Sequence, residues 1–190
     1  MKQQPSRLSS YRMKSAIRHL ESGGVIAYPT EAVFGLGCDP ENRHAVDTLL
    51  NFKQRSRNKG LILIAAEFRQ LLPYIELHSV SNLNRILRSW PGPVTWLIKA
   101  RPAVCGWLRG RHESIAVRVT AHPLAAELSR KYGKPLVSTS ANPSGAAPAR
   151  TALKTRLYFG GHKILIVKGA VGGATKPSSI YDANTLQRLR

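Results

Sequence analysis

The stretch KQRSRNKGLILIA, residues 53–65, decides the fold. Four cations in seven residues, Lys53, Arg55, Arg57 and Lys59, lead into Leu61-Ile62-Leu63-Ile64-Ala65. Five apolar residues in a row leave no polar side, so a strand here must be covered on both faces. Such a strand belongs in the middle of a sheet, and since helices and strands alternate along most of the chain an α/β (or α+β) domain is expected.

The neighbouring segments fit that frame. Upstream, Asp39-Pro40 offers a cap and first-turn pair for a helix reaching residue 52, with Ala45, Val46, Leu49 and Leu50 as its apolar face. Val25 to Tyr28 reads as a short buried strand. Before it, Ser9 or Ser10 can cap a first helix, with Met13, Ala16, Ile17 and Leu20 at helical spacing and Gly23-Gly24 at its end. Downstream, the pattern predicts short helices over 67–72 and 81–89, a hard break at Pro91-Gly92-Pro93, and strands over 94–98 and 115–119. A helix over 122–133, a strand over 135–139 and a helix over 151–159 follow. Strands over 164–167, around Ile180 and near Leu186 close the chain. No repeat, low-complexity tract or linker divides residues 1–190, so one domain around one twisted sheet is expected. Loops 100–113 and 142–150 are irregular and are candidate edges of a site.

Charge is the strongest signal in the composition. Lys and Arg number 29 and Asp and Glu 10, a formal net charge of +19. That excess favours phosphate-bearing partners: nucleotides or nucleic acid. The cations lie in several groups and form no single tail. Aromatics are sparse, at 7%, which argues against a dedicated single-strand binder. Cys38 and Cys105 are the only cysteines and share no C-x-x-C, so neither a disulfide framework nor a structural zinc is expected. The polar start MKQQPSRLSSYR lacks the apolar run of a secretory signal, no stretch is long enough to span a bilayer, and a cytoplasmic protein is expected.

Several common nucleotide motifs are missing. There is no G-x-x-x-x-G-K-[ST], and Gly35-Leu36-Gly37 opens no G-x-G-x-x-G. Phosphates would have to be held by cations, hydroxyls and backbone amides on loops. Four constellations can do this. Thr30, in YPTEAVFGLG (28–37), either points a hydroxyl into a cleft at a strand end or sits in a tight strand-to-helix turn. Lys53 and Arg55 alternate, so on an extended segment they point the same way as a phosphate clamp; alternatively they only complement a helix dipole. Arg118, among apolar strand neighbours in IAVRV, either grips a carboxylate or belongs to a structural ion pair. The neutral cluster Ser138-Thr139-Ser140-Ala141-Asn142 and the later Lys176-Pro177-Ser178-Ser179 can orient oxygens without adding charge, or cap turns.

Taken in order, these stretches resemble the YrdC-like family, the threonylcarbamoyl-AMP synthases of the single-domain TsaC type. The residues that carry the resemblance are Tyr28-Pro29-Thr30-Glu31 with Gly35-Leu36-Gly37, Lys53-Gln54-Arg55, Lys59-Gly60-Leu61-Ile62, Trp90-Pro91-Gly92-Pro93-Val94-Thr95, Ala116-Val117-Arg118, Ser138 to Gly145, and Pro177-Ser178-Ser179-Ile180. The resemblance implies a twisted mixed or parallel sheet, flanked by helices, around a large basic cavity. It implies condensation of L-threonine, bicarbonate (or CO2) and ATP into threonylcarbamoyl-adenylate, with release of pyrophosphate and Mg2+ as companion of ATP. The product would serve the N6-threonylcarbamoyl modification of adenosine 37 in tRNA, completed by separate transferase proteins. Thr30, Arg118, Ser138 and Ser178 match threonine-holding positions; Lys53, Arg55, Ser114, Ser140, Asn142 and Arg188 match positions around ATP, with Lys53 and Arg55 closest to the chemistry. The second domain of longer relatives has no counterpart. The competing reading is a non-catalytic RNA-binding or ribosome-maturation protein that uses the same basic cavity as a cationic surface.

Overall fold

A computed structural model describes residues 9–190; part of the polar start read above lies outside them. The strand Ile62–Ala65 forms at the expected place and, as β3, is central in an eight-stranded sheet. The strands are β1 (Val25–Pro29), β2 (Phe34–Gly37), β3, β4 (Val94–Lys99), β5 (Ser114–Val119), β6 (Leu136–Ser140), β7 (Ile164–Ile166) and β8 (Ser179–Asp182), in the order β7-β1-β2-β6-β3-β5-β4-β8. β3 runs parallel to β5 and antiparallel to β6; β1 pairs parallel with β7, and β4 with β8. The helices are α1 (Ser10–Glu21), α2 (Arg43–Lys53), α3 (Leu83–Arg88), α4 (Gly106–Arg109), α5 (Pro123–Tyr132) and α6 (Ala152–Phe159).

The strand period of two sends alternate β3 residues to opposite layers. Ile64 joins Met13, Leu20, Leu124, Leu128 and Leu136 under α1 and α5. Leu63 and Ala65 join Val46, Leu49, Leu50 and Val117 against α2. The continuous apolar run therefore reports a strand buried on both sides, as expected.

Four expectations differ in physical detail. The cap of α2 is Asn42, whose side chain accepts from Ala45 N at 3.0 Å; Asp39 instead accepts from Glu41 N. Residues 34–37 are a strand, not a turn, because Phe34 and Leu36 both find buried places while the glycines let neighbouring backbones close in. Residues 68–74 wind as a 3-10 helix, with Pro73 inside it. Near Leu186 the chain makes only an isolated bridge between Tyr181 and Arg188, with Leu186 at φ 60°, rather than a strand.

A candidate active site on the open half of the sheet

The register of the sheet builds the site floor. Ser138, Ile62, Ala116 and Leu97 are consecutive cross-strand neighbours on β6, β3, β5 and β4. They lie on the same face as Ile64 and Leu136, but beyond the edge of α1 and α5. Uncovered there, that half of the sheet forms the base of a cavity of about 580 Å³. Its walls come from the β1–β2 turn, the segment 59–61, α4 with the loop after it, and residues 177–180 and 189–190. Loops 100–113 and 142–150 both reach it, through Leu108 to Glu113 and through Pro148.

Of the residues singled out in the sequence, Thr30, Arg55, Ser114, Arg118, Ser138, Ser140 and Ser178 line this cavity. Lys53, Asn142 and Arg188 do not. Lys53 is the last residue of α2, and Gln54 turns left-handed (φ 49°, ψ 45°), so no extended segment aims Lys53 and Arg55 together. The Lys53 side chain is buried; its Nζ donates to Ser140 O and, at 2.7 Å, to Asn142 O, while its own carbonyl accepts from Ser144 N. It fastens the polar end of β6 from behind. Burial, helped by the charge of Arg55, lowers its pKa to about 8. Asn142 turns its amide onto Pro143 O and Ala146 O, at 2.9 and 2.7 Å, shaping the loop after β6. Arg188 is exposed and donates to Arg190 O at 2.8 Å.

Arg190 occupies the wall instead. Its guanidinium donates to Ser178 O at 2.9 Å and Ser178 Oγ at 3.2 Å, and Thr95 Oγ1 donates to the same Oγ at 3.0 Å. Burial, then the charges of Arg118 and Arg55, lower its pKa, which reflects three guanidinium groups gathered around one space. No pattern in the sequence separated Arg190 from the neighbouring Arg188; only the course of the chain past β8 does.

Glu31 was also passed over in the sequence as a member of the site. It is one of two carboxylates in the lining, with Glu113, and it is buried. Its Oε1 accepts from Thr120 Oγ1 at 2.7 Å and Ala121 N at 3.1 Å; its Oε2 lies 3.3 Å from Arg118 Nη2. Arg118 is therefore in an ion pair and on the cavity wall at once. Two bonds fix the carboxylate, and the carboxylate fixes the guanidinium. The signal was present: a buried Arg in an acid-poor chain needs a partner, and Glu31 sits in the YPTE stretch.

Arg55 donates to Lys59 O at 3.2 Å and Gly60 O at 3.0 Å through Nη2, and burial lowers its pKa. Thr30 spends its hydroxyl on Val33 O at 2.7 Å, closing the β1–β2 turn. Arg55 Nε and Arg118 Nε, both from residues on the cavity wall, are buried without a hydrogen-bond partner. Buried polar atoms are normally paired, so these two call for an explanation. Among the described residues, no three His, Cys, Asp or Glu side chains cluster to hold a metal ion.

Comparison with known proteins shows the family. The Sua5/YciO/YrdC family model, described as telomere recombination, matches residues 18–190. The chain belongs to the Sua5/YciO/YrdC family. Within it, the chain is 52% identical to a threonylcarbamoyl-AMP synthase of Nitrosococcus oceani over 181 residues, covering 95% of this chain and 98% of that one. Its identity to the protein of the same name from Methylococcus capsulatus is 49%, covering 96% and 98%. Among solved structures, the H234A/Y235A variant of P. abyssi Sua5 superposes with a TM-score of 0.90 at 28% identity, covering 97% of this chain and 57% of that one. P. abyssi Sua5 complexed with L-threonine gives 0.84 at 27% identity, covering 93% and 52%. The family fold, a mixed sheet with helices, is the one observed here.

Proposed function

We propose that this cavity joins L-threonine, bicarbonate (or CO2) and ATP into threonylcarbamoyl-adenylate, releasing pyrophosphate, and that residues 1–190 work as one domain. The observation that carries the reading is the buried Arg118–Glu31 pair set in a cavity that Arg55, Arg190 and several hydroxyls also line. The name shared by relatives at about half identity over nearly their whole length supports it.

On this reading Arg118 takes the threonine carboxylate, with Thr30, Ser138 and Ser178 around it. Glu31 keeps the guanidinium in place. Arg55, Ser114 and Ser140 face the nucleotide. Lys53 and Asn142 act from behind, by holding the segment that presents Ser140, and Arg190 takes the wall position expected of Arg188.

The steps are as follows. The threonine amine, its extra proton lost to solvent, attacks the carbon of CO2 and gives a carbamate as a second proton leaves to solvent; from bicarbonate the same C–N bond forms with loss of water. A carbamate oxygen then attacks the α-phosphorus in line, and the bond to the β-phosphate oxygen breaks. Positioning and charge stabilisation dominate such a transfer, so fixed guanidinium groups and hydroxyls suffice. Mg2+ enters with ATP as the counter-ion of its phosphates; the lining residues offer no ligand set for a resident ion.

The product serves tRNA modification through separate transferase proteins, in the cytoplasm. No described helix is long and apolar enough to cross a membrane. The +19 charge favours attraction to tRNA as an accompaniment to the chemistry, not in place of it.

The test is to incubate the purified protein with threonine, bicarbonate, Mg2+ and ATP labelled on the γ-phosphate. Labelled pyrophosphate should appear only when threonine is present. Release that ignores threonine would sink the synthase reading.

A further inference from the structure

Helix α6 presents apolar residues on both of its faces. Its core positions are Thr155 and Phe159, 0% and 2% exposed; its outward positions are Leu153 and Leu157, 69% and 71% exposed. Each pair is four residues apart, so each shares a face, and the two faces are roughly opposite. Thr155 satisfies its hydroxyl locally, on Thr151 O at 2.9 Å. Single exposed leucines need no account. A helix that buries a threonine while showing two adjacent leucines forgoes the usual stabilisation of burial.

The leucines have cationic company. Arg150, Lys154 and Arg156 flank them and are exposed. Between residues 141 and 181 the chain carries six Lys and Arg and no Asp or Glu. A second copy of this chain would set cations against cations. RNA phosphates would meet the cations but leave the leucines uncovered. A protein surface with an apolar pocket rimmed by carboxylates matches both features.

The helix also shares a loop with the cavity. Tyr158 Oη donates to Ala147 O at 3.0 Å, and Pro148, next along, lines the cavity. Phe34 N donates to Ala149 O at 2.7 Å, tying the same loop to β2. A partner seated on α6 would stand beside the Pro148 edge of the cavity.

We infer that the Leu153–Leu157 face docks an acid-rimmed apolar surface of the protein that takes the threonylcarbamoyl group from the adenylate. The inference rests on the synthase reading. A carbamic–phosphoric anhydride loses its acyl group to water, so the consuming reaction gains from standing next to the site that makes it.

Leu153→Ser/Leu157→Ser tests this in the full chain, with Lys154→Glu/Arg156→Glu as a second variant that leaves the leucines in place. Neither pair lines the cavity, so circular dichroism and threonine-dependent pyrophosphate release should match the unaltered protein. Affinity for purified tRNA threonylcarbamoyl-transferase proteins, read by interferometry, should fall about tenfold or more in both variants, as for residues central to an interface. Modified tRNA formed per pyrophosphate released should fall with it. Unchanged affinity in the leucine variant overturns the inference. So does a leucine variant that only turns a dimer into a monomer, because the occupant is then a second copy. A loss of tRNA affinity with transferase binding intact assigns the face to RNA and overturns it too. Absence of threonine-dependent release in the unaltered protein overturns the synthase reading itself, and the two failures are separately visible.

Discussion

At the scale of single residues, the site works by side chains that hold other side chains. Glu31→Gln keeps the shape of the carboxylate and its acceptor toward Thr120 but removes the charge facing Arg118. It is expected to raise the KM for threonine about tenfold or more while moving the KM for ATP little. Equal effects on both would argue for general disruption. Arg55→Ala is expected to lower turnover by about two orders of magnitude. Its loss to stability should stay near 1 kcal/mol, because Lys59 O and Gly60 O are left near solvent. An unfolded circular dichroism spectrum for that variant would contradict this assignment. Lys53 gives a prediction in pH. Its pKa falls from the ordinary 10.5 to about 8 in the folded state, so between those values the unfolded chain binds more protons and stability rises with pH. Below about 8 the penalty is complete and constant. The gap in unfolding free energy between the protein and Lys53→Met should therefore widen between pH 8 and 10, by at most roughly 3 kcal/mol. A gap that narrows over that window would refute it.

At the scale of elements, β2 matters most. It shows why the site was less legible in the sequence than the fold. The double-sided strand β3, the helical spacing of α1 and the Gly-terminated α5 were visible because apolar period and turn chemistry are local signals. Phe34-Gly35-Leu36-Gly37 was not, because glycine is poor in strands and looks like a turn. Its reason is tertiary. A methyl group at Gly37 would lie 2.5 Å from Val137 O and 2.7 Å from the Tyr28 ring. Gly37→Ala should therefore cost about 2 kcal/mol, seen as a lower midpoint in denaturant titration. A methyl at Gly35 meets Ser138 Oγ at 3.2 Å and Thr30 Cγ2 at 3.4 Å, with Thr139 O at an ordinary 3.6 Å, so a few tenths of an ångström of side-chain movement would admit it. Gly35→Ala should spare stability and weaken threonine binding, so a variant that unfolds instead would separate β2 from the site. The same contrast explains the site residues. Arg118, Ser138 and Ser140 were legible from strand ends and buried charge. The roles of Lys53, Arg190 and Glu31 depend on which distant backbone each one meets.

At the scale of the molecule, charge is distributed unevenly. All ten acids lie outside residues 128–181, so α6 and the loops that flank it in sequence contribute cations and no acid. Affinity for tRNA is expected to fall steeply and log-linearly with salt, and a flat response would contradict an electrostatic origin.

The clamp from Lys53 to Ser140 and Asn142 spans 87 and 89 positions in sequence, and the cavity floor is assembled from β6, β3, β5 and β4 in that spatial order. No local segment carries a partial site. Substrates should therefore recognise only the fully closed topology, and each should slow amide hydrogen exchange most in the strands that open last. In calorimetry, threonine and ATP together should raise the melting temperature more than either alone, and no rise with both would contradict a site formed only in the folded sheet.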